Sequence, residues 1–439
     1  MALPSVFRSL RPRSRQALIL YAVAAALVLA GGATAAYFGF VKKPGNVSHP
    51  NVEFTQPVAA PKHKVVPETF KWPIYGYTPD RNRYLDANIS PPFKRLWVWK
   101  AGSLLEFQPI LVNGVLYVVP YNGRAGAIDA KTGKTLWRAR TGSLSASSPA
   151  WDAGRVFIVS LSGRITCLDA KTGKPVWARH LPSRSESSPV VINHVVYFGS
   201  ENGTVYALRA KDGSRVWTYH AAGAVKAGLA YKAGILYFGD YSGTMTAVRA
   251  RDGHRVWSTA TSGKLFQQSG QFYSTPAVAY GRVFVGNTDG FVYSFAAHTG
   301  QLAWRYSTGA YVYSAPAVGP GPGGTPTVFI GSYDQSFYAF DARSGRVLWA
   351  YHSKGRISGA PTLIGHVVYF SSLDSHSTSG LDVANGKRIF KRSTGKFNPM
   401  ISDGKRMYMT GFSTIYAMVP KSTPAPAPSA KARKAKPGK

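Results

Sequence analysis

Apolar and polar positions alternate along most of this chain in short runs, each broken by a turn rich in glycine, aspartate or asparagine. Residues 148–160, SPAWDAGRVFIVS, show the opening of the unit: a Ser-Pro start, an apolar run, an Asp-Ala-Gly turn and a β-branched run. Alternation of period two between such breakers predicts short antiparallel strands rather than helices. A third apolar run such as Ile165–Leu168 leads into Asp-Ala-Lys-Thr-Gly, and the fourth run carries a tryptophan. The glycine supplies the positive φ that a tight hairpin requires. The tryptophan is large enough to fill the space between two neighbouring sheets.

This unit recurs. The stretch DAKTGKTLW at 129–137 returns as DAKTGKPVW (169–177), RAKDGSRVW (209–217) and RARDGHRVW (249–257). It returns again as AAHTGQLAW (296–304), DARSGRVLW (341–349) and DVANGKRIF (382–390). The closing aromatics are Trp97, Trp137, Trp177, Trp217, Trp257, Trp304, Trp349 and Phe390, mostly 40 residues apart. The turn glycines are Gly133, Gly173, Gly213, Gly253, Gly300, Gly345 and Gly386. A period of about 40–45 residues belongs to propellers and solenoids. A single four-stranded sheet cannot bury both its faces, whereas a ring of sheets can.

Inner strands start near Pro109, Pro149, Pro189, Leu229, Pro276, Pro316, Pro361 and Pro399, which predicts eight blades. Lys94–Lys100 is a tryptophan strand with no strands before it. The last three strands, within 398–401, 406–409 and 414–418, lack a tryptophan strand after them. Pairing the orphan with the incomplete blade closes the ring and removes two free edges. The expected fold is therefore all-β: an eight-bladed propeller of four-stranded antiparallel blades over residues 94–420, acting as a monomer.

The flanking segments have different compositions. Residues 1–16 are basic, and Ala17–Val41 is a run of 25 residues without a charge, long enough for a transmembrane helix. Arg8, Arg11, Arg13 and Arg15 outweigh Lys42 and Lys43, so a single-pass anchor would keep the N-terminus cytoplasmic and place the propeller outside. Ala33-Thr34-Ala35 offers the rival, a cleaved signal peptide, and either route exports the domain. Residues 42–70 read as a Pro-rich linker, and residues 71–93 as an aromatic arm packed on the propeller with its arginines paired. Residues 421–439 read as a disordered basic tail.

Lysine and arginine outnumber the acids by 53 to 19, a balance suited to a polyanion, a membrane surface or an anionic wall polymer. Cys167 is the sole cysteine, so no disulfide forms within the chain. The ten histidines show no zinc-like spacing, and no phosphate loop or closely spaced carboxylate pair is present. The recurrent turn aspartates, among them Asp129, Asp169, Asp341 and Asp382, are expected to cap their hairpins. No catalytic, cofactor-binding or metal-binding residue is assigned, and no cofactor is expected.

The A-x-D-A-x-T-G-x-x-x-W repeat resembles the pyrroloquinoline-quinone-type propeller repeat over residues 94–419. The resemblance implies the propeller fold and two kinds of function. One is that of quinoprotein alcohol and sugar dehydrogenases. The other is that of non-catalytic propellers, including the lipoprotein of the outer-membrane β-barrel assembly machinery. The quinoprotein alcohol dehydrogenases carry two adjacent cysteines near the cofactor, a feature this chain lacks. The expectation is a membrane-anchored, extracytoplasmic, non-enzymatic protein-binding or scaffold module of the cell envelope, its partner a protein or other envelope component. The alternatives are a quinone-dependent oxidoreductase and a binder of polyanion or cell-wall polymer.

In a propeller the loops entering the inner strands rim the central channel. Counting three back from each inner-strand start gives Glu106, Ala146, Glu186, Lys226, Tyr273, Tyr313, Ser358 and Lys396. The longest insertion, residues 258–275, adds Phe266, Gln267, Gln268 and Phe272 beside Tyr273, an aromatic and amide mix suited to an interaction loop. These residues form a candidate binding rim; a merely solvated ring of loop side chains is the plain alternative. The Gly-Pro insertion at 319–325 is expected on the opposite rim.

Overall fold

The computed structural model describes residues 45–57, 69–261 and 270–421, together with a few helical positions between 23 and 28. Eight antiparallel sheets follow one another along the chain, each built on four strands. Blade 1 comprises Ile110–Val112, Val115–Val118, Arg124–Asp129 and Thr135–Arg140. Blade 8 takes three strands from the end of the ring and its outer strand, Phe93–Lys100, from the beginning. Ala417 there pairs with Trp97 and Ile415 with Trp99, so the two chain ends close the ring as expected.

The repeat explains how one blade seats the next. Trp137 lies over the turn of blade 2, where a Cβ on Gly173 would stand 2.6 Å from its ring, and its indole N–H donates to Ala170 O at 2.9 Å. Trp177 makes the same two contacts with Gly213 and Ala210, and Trp217 with Gly253 and Ala250. Each turn glycine sits near φ +70°, where a side chain is disfavoured on its own account. The turn is fastened locally: Asp169 Oδ1 accepts from the Thr172 backbone N–H at 2.8 Å and hydroxyl at 2.7 Å. Phe390 departs from tryptophan because the blade it faces has no such turn. It meets Phe93 edge to face at 5.7 Å instead, where the blade-8 hairpin would have been.

The arm does more than pack on the outside. It runs inside the channel, along the innermost strands. Lys71–Trp72 pairs with blade 1 as a fifth strand. Pro73 O then accepts from Trp151 N of blade 2, Pro79 O from Tyr231 N of blade 4 and Asp80 O from Val278 N of blade 5, each at 2.8 Å. Asn82 O accepts from Val318 N of blade 6 at 2.8 Å, and Tyr84–Leu85 joins blade 7 in parallel. Inner-edge N–H groups that would otherwise face channel solvent are thereby satisfied. Trp72, Ile74, Tyr75 and Leu85 are buried, as are Arg81 and Arg83. The arginines are paired, but with backbone carbonyls rather than acids.

One further expectation is corrected. Residues 45–57 are not a free tether: Val47–Ser48 pairs with Arg305 and Trp304 on the outer edge of blade 5. The segment is held because Arg282, buried within the blade, donates to Val52 O and Glu53 O, while the Phe54 ring meets Tyr280 at a tilt, 5.8 Å between centroids. Among the described residues no helix is long and apolar enough to cross a membrane. Most of the 17–41 run lies outside the described residues, as do residues 58–68 and 422–439.

Candidate functional site at the axial funnel

The loops entering the inner strands converge on a funnel at one end of the axis, with a cavity of roughly 50 Å³. Glu106, Glu186, Lys226, Tyr273, Tyr313 and Ser358 line it, as the count back from the strand starts predicted. Ala146 is buried instead. Lys396 stands beside the funnel, its ammonium over Phe397 at 5.6 Å and Phe412 at 5.3 Å, and Phe397 supplies the wall. Phe272 is not a rim residue. It is fully buried and fills the notch where a Cβ on Gly239 would lie 2.4 Å from it. Phe266, Gln267 and Gln268 lie outside the described residues.

Glu186, Lys226, Glu201 and Arg184 form one network. Lys226 Nζ lies 2.9 Å from Glu186 and 3.3 Å from Glu201, which also meets Arg184 at 3.0 Å. The Tyr273 hydroxyl donates to the second Glu186 oxygen at 2.9 Å. Burial alone would lower the Lys226 pKa, but its two glutamates outweigh that and hold it above the usual lysine value. Burial, followed by the charge of Glu186, drives the Tyr273 phenol far above its ordinary range. Glu106 is raised by burial first and Glu186 second.

Aromatic rings continue the wall. Tyr273 meets Tyr313 edge-on at 5.6 Å, Tyr313 lies 4.9 Å from Tyr333, and the Arg356 guanidinium covers Tyr333 at 5.4 Å. Arg356 is held in turn by Asp374 at 2.8 Å. The floor is Tyr75 from the arm, edge-on to Phe107 at 5.5 Å, with its hydroxyl on Asn398 at 3.1 Å. Neither Tyr75 nor Phe107 was expected here. Phe107 carries a readable signal, being next to a rim position, whereas Tyr75 reaches the axis through a path that no local pattern encodes.

Three of the chain's five glutamates fall within the ring, two in this network and Glu106 on the funnel wall. Carboxylates and π faces brought to one mouth are groups suited to holding a cation. No group of three or more His, Cys, Asp and Glu side chains stands in metal-binding geometry among the described residues. Cys167 is buried in blade 2, and burial pushes its thiol up to about 12.

The sequence profile described as outer membrane protein assembly factor BamB matches residues 121–264, 221–317 and 314–420. The chain belongs to the BamB family. Among solved structures, BamB from Moraxella catarrhalis superposes with a TM-score of 0.62 at 19% identity, covering 76% of this chain and 99% of that one. A europium-containing methanol dehydrogenase gives 0.67 at 14%, covering 80% and 98%. The quinohemoprotein alcohol dehydrogenase of Comamonas testosteroni gives 0.66 at 15%, covering 82% of each chain. At these identities the likenesses establish the propeller alone. No curated protein matches the chain. The propeller is thus common to BamB and to these dehydrogenases.

Proposed function

We propose that this chain is a membrane-tethered, extracytoplasmic, non-enzymatic scaffold of the cell envelope that receives a cationic side chain of a protein partner in its axial funnel. The observation that carries this reading is the gathering of Glu106, Glu186 and Glu201 at one aromatic-walled mouth of a chain with net charge +34. Glu186 and Glu201 are paired with Lys226 and Arg184, so Glu106 is the carboxylate offered to an incoming basic group. The role of assembly factor named for the family, and the BamB structure from Moraxella, fit a binding module of this kind.

The dehydrogenase reading is less well supported by the residues. Tyr75 and Phe107 fill the floor of the funnel. A flat cofactor bound on the axis at this end would need that space.

Capture from membranes with wild type and with Glu106→Gln tests the proposal. A basic partner retained by wild type and lost by the variant supports it. A visible quinone absorbance in the purified protein, with turnover of an alcohol, contradicts it. The tether is tested by carbonate washing, which should leave the protein in the membrane fraction.

A further inference from the structure

Arg81 and Arg83 are buried together in the channel, 0% and 1% exposed. Arg81 is fully used: Nε donates to Leu229 O at 2.9 Å, Nη1 to Tyr75 O, and Nη2 to Ser188 O at 2.9 Å and Pro189 O at 3.3 Å. Arg83 is not. Its Nη1 donates to Arg81 O at 2.8 Å and its Cζ lies over the Tyr75 ring, 4.4 Å from the centroid. Its Nε and Nη2 reach no acceptor among the described residues.

Carbonyls satisfy donors without neutralising charge. The acids nearest in sequence face elsewhere, Asp80 to Lys232 at 2.9 Å and Asp86 to Tyr84. Glu106 and Glu186 line the funnel, which Arg83 does not enter. Two guanidiniums therefore share a low-dielectric channel without a carboxylate, an arrangement that is strongly unfavourable unless a counter-charge is present.

We propose that the channel binds a small monovalent inorganic anion, chloride in ordinary solution, on the Nε–Nη2 edge of Arg83. That edge of a guanidinium carries two parallel N–H groups and takes a single anion side-on. Tyr75 and the arm shut both nitrogens from solvent, which restricts the ligand to an ion without an organic body. A water molecule would satisfy the two donors but leave the charge uncompensated. The anion fastens the arm in the channel, so it acts on stability and does not depend on what the funnel binds.

The test uses the full chain, purified and crystallised from glutamate salts and then soaked in bromide. The expected result is an anomalous bromide peak within hydrogen-bonding reach of Arg83 Nε and Nη2. Bromide on the exposed surface only, with water at Arg83, overturns the proposal. In solution, replacing glutamate by chloride at constant ionic strength should raise Tm progressively, as binding to the folded state alone requires. Arg83→Met should flatten that dependence. A flat wild-type curve overturns the proposal without reference to any variant, and if Arg83→Met fails to fold the wild-type crystal still decides.

Discussion

The Trp97 indole lies flat against the turn of Gly133, where an added Cβ would stand 2.7 Å from the ring. Its N–H reaches Ala130 O at 3.2 Å. This contact joins blade 8 to blade 1, and the same pair of interactions recurs at the other tryptophan turns. Gly173→Ala should therefore cost more than backbone strain. A left-handed alanine costs about 1–2 kcal/mol, and displacing Trp137 adds about 1–3 kcal/mol of overpacking. Gly154→Ala is the control, since that glycine also has positive φ but nothing within 4 Å of the added Cβ. Denaturant unfolding of the two variants should separate the components, with Gly173→Ala clearly the less stable.

Removing residues 71–100 should abolish the cooperative transition rather than lower it. The deletion strips the outer strand from blade 8, exposing the edge of Thr414–Pro420, and takes the arm from the channel. A buried tryptophan alone is worth about 3–5 kcal/mol, a large part of the usual net stability of a domain. Calorimetry on the truncated protein checks this; an unchanged melting peak would contradict ring closure.

Acid should expose the aspartate caps. The Thr172 hydroxyl and backbone N–H hold the Asp169 carboxyl below its ordinary value. A depressed folded-state pKa contributes stability that is present above the unfolded value, about 3.9, and is lost as pH falls through the folded one. Asp169→Asn should thus melt below wild type at pH 6, and the gap should close as pH drops under about 4. Melting curves across that range supply the comparison.

Arg282→Met should release residues 45–57 from blade 5, because it removes the donors to Val52 O and Glu53 O. Limited proteolysis should then cut within 45–57 in the variant and spare it in wild type. Equal protection in both would place the hold elsewhere, on the Val47–Ser48 pairing.

Much of this architecture could be read from residue types. The spacing of tryptophans and glycines contains the ring because the indole of one blade needs the glycine of the next. The strand starts contain the rim because each loop enters its inner strand at the same register. Long-range placement could not be read. Nothing local in Arg81 and Arg83 says that their partners are carbonyls, or that their positive φ values of 59° and 57° turn them into a channel. Phe272 looked like a loop aromatic, and only the gap beside Gly239 shows why it is core. The Pro-rich composition of residues 42–70 concealed a strand of two residues and an arginine clamp.

The most direct measurement is the affinity of the captured partner for wild type and for a variant carrying Glu106→Gln and Tyr313→Ala, at low and moderate salt. Both positions line the funnel mouth, so folding should be little changed, while losing a hot-spot contact worth about 1.4 kcal/mol or more weakens binding about tenfold or beyond. The account predicts that loss at both salt concentrations. Equal affinity for the two proteins, falling steeply with salt, would contradict it and move the binding site to the basic outer surface.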